Sequence, residues 1–270
     1  MTDQSNQGYC FGLPFLLETE SIEDAVELAA ELRLSFVELN TNFPQSILDK
    51  LDPKVLNDLA EEYGIFFTLH LDDSLDFAAI NPLVREACVE TIMRAIDLCR
   101  SAEMPVINCH FAKGNIVTLP DGKHYINEAF EAEFIEHVLT LRSRCEAAIG
   151  TDPIKICIEN TDKWMPHELR AIRLLLESPV FGLTLDIGHD HATGNQDLAF
   201  ILDEQEHLCH MHAHDGWDQV NHQGLGSGEI PIMDRLNLAR RHQATVVLET
   251  KTIEAVHQSV NWLIKHHELT

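Results

Sequence analysis

Apolar residues along the chain alternate between two regimes. Eight short runs rich in β-branched and aromatic residues recur: "YCFGLP", "FVELN", "IFFTLHL", "VINCHF", "IKICIEN", "FGLTLDIG", "LCHMHAH" and "TVVLETK". Each reads as a buried strand, and the stretch after it has helical spacing. Ser21 and Asp24 give a capping-box signal ahead of the stripe Ile22, Ala25, Val26, Ala29 and Leu32. Asn81 as N-cap and Pro82 at the first helical position open a helix that sets Val84, Cys88, Ile92, Ala95, Ile96 and Cys99 on one face. The same periodicity predicts helices over 53–63, 127–149, 166–177, 231–242 and 253–267, and a shorter one over 195–205.

Eight strand–helix units predict an α/β fold, a single-domain (β/α)8 TIM barrel over residues 9–270 with a flexible tail at 1–8. An open doubly wound sheet is the alternative. The segments 71–81, 111–126 and 214–230 are long loops that follow strands. In a barrel they stand at the catalytic face.

Composition narrows the partners. Asp and Glu outnumber Lys and Arg by 44 to 19, a formal charge of -25 that repels nucleic acid and anionic membrane surfaces. The polar start "MTDQSNQGYC" lacks a signal-peptide pattern, and no segment reaches the roughly 18 apolar residues of a membrane helix. Seven cysteines without a CxxC pair read as reduced packing residues, so a cytoplasmic protein is expected. The segment "GLGSGEI" follows no strand directly and precedes Pro231, so no nucleotide cofactor is expected. A homodimer is the default expectation for oligomeric state.

The ionisable residues repeat one position in the pattern. The third run ends at His70, the fourth at His110 and the fifth at Glu159; the sixth ends at Asp186 with His189 beyond it, the seventh at His212 and the eighth at Glu249. Barrel closure brings these ends to one mouth. Carboxylate and imidazole donors without thiolate suit a divalent cation such as Mn, Zn, Mg or Co. So many convergent carboxylates also repel one another unless a cation joins them. In "HLCHMHAHDG", strand alternation puts His210 on the face of His212 but deeper, as an interior hydrogen-bonding residue. His214 and Asp215 begin the following loop and are expected to support the site or cap the turn.

The ordered set "CIENT", "LDIGH", "HMHAHD", "HQGLGSGEI" and "LETK" resembles the xylose-isomerase-like barrels, the superfamily of sugar isomerases and epimerases and of the AP endonuclease family. The resemblance to the epimerase branch implies one cation held by Glu159, Asp186, His212 and Glu249. It also implies that Glu159 and Glu249 act as the acid/base pair, with His189 near the substrate hydroxyls. His70, His110, His222 and Lys251 would contact the substrate. Lys113, Lys163 and Lys251 follow strand ends where a substrate phosphate would lie, although each reads first as a solvated lysine. The endonuclease branch implies a second cation at His70 and His110 beside Glu159, and a third site pairing His189 with His222. That branch has an aspartate where this chain has Val220, which breaks the third donor set. The implied activity is isomerisation or epimerisation of a small sugar, sugar phosphate or polyol-derived keto compound. A multi-cation hydrolase of small phosphoesters is the alternative.

Overall fold

The computed structural model describes residues 8–269. Eight parallel strands close on themselves: β1 (Phe11–Pro14), β2 (Phe36–Asn40), β3 (Phe66–His70), β4 (Val106–His110), β5 (Lys155–Glu159), β6 (Phe181–Asp186), β7 (Leu208–His212) and β8 (Thr245–Val247). The (β/α)8 barrel read from the alternation is the observed fold. The tail expected at 1–8 lies, apart from Gly8, outside the described residues. No helix is long and apolar enough to cross a membrane among those residues.

The outer helices begin where the sequence signals place them. Helix α1 (Ile22–Glu31) has the full reciprocal capping box between Ser21 and Asp24. Asp52 and Asn81 cap α2 (Pro53–Tyr63) and α3 (Pro82–Ser101), each with proline in the first turn. Helices α4 (Glu131–Ile149), α5 (Pro166–Leu176), α6 (Leu198–Asp203), α7 (Ile232–His242) and α8 (Ile253–Lys265) complete the ring.

Three local expectations change. The helix predicted over 127–149 is broken at Phe130 (φ -120°) into a short turn, Ile126–Ala129, and α4. An additional helix, Ile187–Ala192, starts directly after β6 because the Asp186 side chain accepts the His189 backbone N–H. The loops at 111–126 and 214–230 are not structureless. Each folds back as an antiparallel hairpin, Ile116–Leu119 with Gly122–Tyr125 and Asp215–Trp217 with Val220–Gln223, whose arms are too short to register as alternation.

Residues of one alternation (Val37, Leu39, Phe67, Leu69, Ile107, Ile156, Ile158, Leu183, Leu185, Met211 and Val246) are buried with the helices in the apolar core. The other alternation fills the barrel interior with polar groups: Glu38, Thr68, Asn108, Thr184 and His210, all buried. Parallel strands ordinarily read as continuous apolar runs, so each polar interior residue needs a partner supplied by another strand. The seam that closes the barrel is matched at Phe11↔Val246 and Gly12↔Val247 on the three-residue strand β8.

Candidate metal centre

The strand ends bring four donors to one point. Around His212 Nδ1 lie Glu249 Oε2 at 3.2 Å, Glu159 Oε1 at 3.3 Å and Asp186 Oδ2 at 3.8 Å. One ligand atom from each of the four residues falls within 4.8 Å of the others. β7, which carries His212, lies between β6, which ends at Asp186, and β8, two residues before Glu249; Glu159 ends β5, one strand further round. Both His212 Nδ1 and Glu249 Oε2 are buried without a hydrogen-bond partner. Buried polar atoms are otherwise almost always paired, so two unpaired atoms 3.2 Å apart, with the Glu159 and Asp186 carboxylates beside them, fit a divalent cation.

Interior side chains hold these donors. Asn108 Nδ2 donates to Glu159 Oε2, and the Thr184 hydroxyl donates to Asn108 Oδ1 at 2.6 Å. Asn160 bridges two strands by accepting the Asp186 N–H and donating to the Asp186 carbonyl, both at 2.9 Å. His214 Nε2 stands 3.0 Å from Asp186 Oδ1 and its Nδ1 accepts the His222 backbone N–H at 2.7 Å. A Cβ at Gly188 would come within 1.8 Å of the His214 ring. Glycine there is what allows the imidazole to lie under Asp186.

Two further histidines approach the same carboxylate. His70 Nε2 is 3.3 Å and His110 Nε2 is 3.4 Å from Glu159 Oε2. The His70 Nδ1–H donates to the Leu71 carbonyl at 2.7 Å, which leaves Nε2 turned to the site. Asp73 Oδ1 lies 3.6 Å from His110 Nδ1, so His70, Asp73 and His110 form a second potential donor group. Asp73 sits in the loop after β3 and had no pattern to single it out.

Electrostatics follow from burial competing with charge. Burial pushes the Glu159 carboxyl up, yet the charges of His212 and His110 bring it well below the ordinary range. Glu249 behaves alike, with His212 and then Lys251 as the counter-charges. Burial lowers His70, but its contact with Glu159 overrides this and raises it to about 9. Burial dominates at His222, which falls to about 4 and stays neutral.

The remaining sequence candidates take distinct places. His189 and His222 meet edge to face at 5.3 Å between centroids, and His222 Nδ1 donates to the Glu249 carbonyl at 3.0 Å. Its backbone is left-handed, φ 56°, a strained conformation for a non-glycine residue. With Val220 exposed on the hairpin, His222 groups instead with His214 and Glu249. Two of the three lysines that follow strand ends have partners in the protein. Lys251 Nζ pairs with Glu249 Oε1 at 3.1 Å, and Lys113 Nζ donates to the Lys163 carbonyl at 2.6 Å. Asp215 caps the turn, accepting backbone N–H groups from Gly216, Gly226, Gly228 and Ile230.

Glu38 and Asn108 are the interior residues that the strand-end pattern did not reach. Both sit in mid-strand within otherwise apolar runs. A charged or amide residue inside a parallel-strand run was the signal available.

Residues 26–266 match the model of the xylose isomerase-like TIM barrel family. An uncharacterized protein of Methanocaldococcus jannaschii is 27% identical over 265 residues, which span 93% of this chain and 86% of that protein. Among solved structures, a D-tagatose 3-epimerase-like protein superposes with a TM-score of 0.78 at 24% identity, over 96% of this chain and 97% of the other. The 3-keto-D-glucoside 4-epimerase of E. coli gives 0.75 at 14% identity, over 95% and 99%. The IolI protein, solved with a binding zinc atom, gives 0.74 at 12%, over 95% and 97%. These likenesses bear on the fold, and the family match decides membership: the chain belongs to the xylose isomerase-like TIM barrel family.

Proposed function

We propose that this xylose isomerase-like barrel is a divalent-cation-dependent isomerase or epimerase of a small sugar or polyol-derived keto compound. The observation that carries the reading is the pair of glutamates, Glu159 and Glu249, at 3.3 and 3.2 Å from the same imidazole nitrogen of His212. A cation bound by Glu159, Asp186, His212 and Glu249 supplies electrophilic polarisation of a carbonyl and its neighbouring hydroxyl. The chain's own residues then handle protons. The Glu249 carboxylate accepts a proton from the carbon beside the carbonyl. Glu159, ionised at the outset beside His212 and His110, takes the proton of the neighbouring hydroxyl and delivers it to the other face of the carbon, while Glu249 returns its proton to that hydroxyl oxygen. His189 and His222 stand at the mouth, where hydroxyl groups would be oriented. The engagement of Lys113 and Lys251 favours an unphosphorylated polyol over a phosphate ester.

The test is solvent exchange. Protein loaded with Mn(II) and incubated with ketohexoses in D2O should incorporate deuterium at the carbon next to the carbonyl. Glu249→Gln should lower that rate by roughly 10²–10⁴-fold. A second reading, hydrolysis of small phosphoesters with two cations, is favoured by the group His70, Asp73 and His110 beside Glu159. Release of phosphate from an aryl phosphate with two cations per chain, and no deuterium exchange, would replace the first reading by the second.

A further inference from the structure

Beneath the four donors lies a carboxylate that meets only one of them, His212. Glu38, on β2, is 1% exposed and stands between two histidines of β7. Its Oε1 is 3.0 Å from His212 Nε2, and its Oε2 is 2.9 Å from His210 Nε2 and 3.1 Å from the Thr68 hydroxyl. His210 Nδ1 in turn meets Thr245 Oγ1 at 2.6 Å. An ionised carboxylate only accepts hydrogen bonds, so both nitrogens that face Glu38 carry the proton. A neutral imidazole has one N–H. When a cation replaces the second proton of His212, the remaining one on Nε2 faces Glu38 and the freed lone pair is on Nδ1, the nitrogen aimed at Glu159, Asp186 and Glu249. The His212 N–H is off the line to Glu38, since Nε2 has the distance but not the angle of a hydrogen bond. Such contacts tighten when a site is engaged.

We infer that Glu38 is the positioning residue of the centre, selecting the His212 tautomer that presents Nδ1 to the cation, with His210 and Thr245 completing the chain of hydrogen bonds behind it. The inference rests on the proposed cation site. A cation-binding histidine almost always donates its other N–H to a carboxylate, carbonyl or water, and loss of that partner weakens binding about 10–100-fold. The pairing with His210 adds a specific consequence. In Glu38→Gln the amide has one acceptor and one donor end. It can keep its oxygen on His212 only if its NH2 faces His210, whose Nε2 must then accept and whose Nδ1–H must go to Thr245 Oγ1. Thr245 thus decides whether the amide can serve His212.

The experiment measures Mn(II) affinity by competition with a fluorescent chelator, and the Co(II) visible spectrum, in the wild-type chain and in Glu38→Ala, Glu38→Gln, Thr245→Val and the Glu38→Gln/Thr245→Val double variant. Circular dichroism checks that each is folded. Expected are a 10–100-fold loss in Glu38→Ala, a loss under tenfold in each other single variant, and a loss in the double variant at least fivefold beyond the product of those two. The Co(II) spectrum should change in Glu38→Ala and in the double variant. Affinity within threefold of wild type in folded Glu38→Ala, or a double variant equal to the product of its singles, overturns the positioning role while the cation site stands. A wild-type chain without cation affinity overturns the proposed function, and this inference with it.

Discussion

Asn108→Ala isolates the support under the candidate centre from the donors themselves. Asn108 is fully buried, donates to Glu159 Oε2 and accepts the Thr184 hydroxyl. Its loss removes a hydrogen bond to a charged group, about 1.5–3 kcal/mol, and leaves a buried hydroxyl without an acceptor, about 1 kcal/mol more. The space vacated by the amide adds a cavity term. Together these effects amount to about 3–4 kcal/mol, or roughly 5–7 °C in Tm for a domain of this size. The assay is thermal unfolding followed by circular dichroism in excess EDTA, so that the value reports the protein's own interactions. A Tm within about 2 °C of wild type would refute the view that Glu159 depends on a fixed interior partner. With saturating Mn(II) the Tm of both proteins should rise, and that of the variant by no more than that of wild type, because ligand binding to the folded form adds stability by mass action.

Other predictions follow from the same geometry. Gly188→Ala puts a Cβ 1.8 Å from the fully buried His214 ring; urea unfolding should show a loss of about 1–3 kcal/mol, and Mn(II) competition a weaker site, because Asp186 loses its imidazole partner. Asp197, which accepts the Trp164 N–H, is raised from 3.8 to about 6, by burial first and by the nearby Asp190 charge. The folded chain therefore retains a proton that the unfolded chain has released between those values, and stability falls as pH rises through that window. Asp197→Asn should be more stable than wild type at about pH 8 and lose that advantage below about pH 4, read by urea midpoints across pH.

The fold was legible because both periodicities are strong and most outer helices carry either a cap or a clear stripe. The capping box at Ser21 and the starts at Pro53, Pro82 and Pro166 are local chemistry, and the structure realises each of them. The hairpin arms within 111–126 and 214–230 are three or four residues long and have no periodicity to read. The strand-end donors were legible because barrel topology turns one position in each run into one place in space. What the pattern could not reveal is which nitrogen of His212 faces Glu159, or that Glu38 and Asn108 meet residues on other strands. Those facts depend on the stagger between neighbouring strands, as in Asn108↔Cys157 against Glu159↔Thr184, and stagger leaves no mark in a single run. The expectation that His210 lies inside and hydrogen-bonds there agrees with its contacts to Glu38 and Thr245.

Strand β8 has only three residues and joins both ends of the barrel, pairing with β1 on one side and β7 on the other. Two residues past its end stands Glu249, so the strand that shuts the cylinder also delivers the last donor. In folding terms, assembly of the centre and closure of the chain on itself become one event. An intermediate that has formed the first seven strands but not this seam would hold Glu159, Asp186 and His212 and still lack the fourth group. Any ligand that prefers all four donors draws the termini together, and activity should fade when the seam frays, before the apolar core between strands and helices gives way.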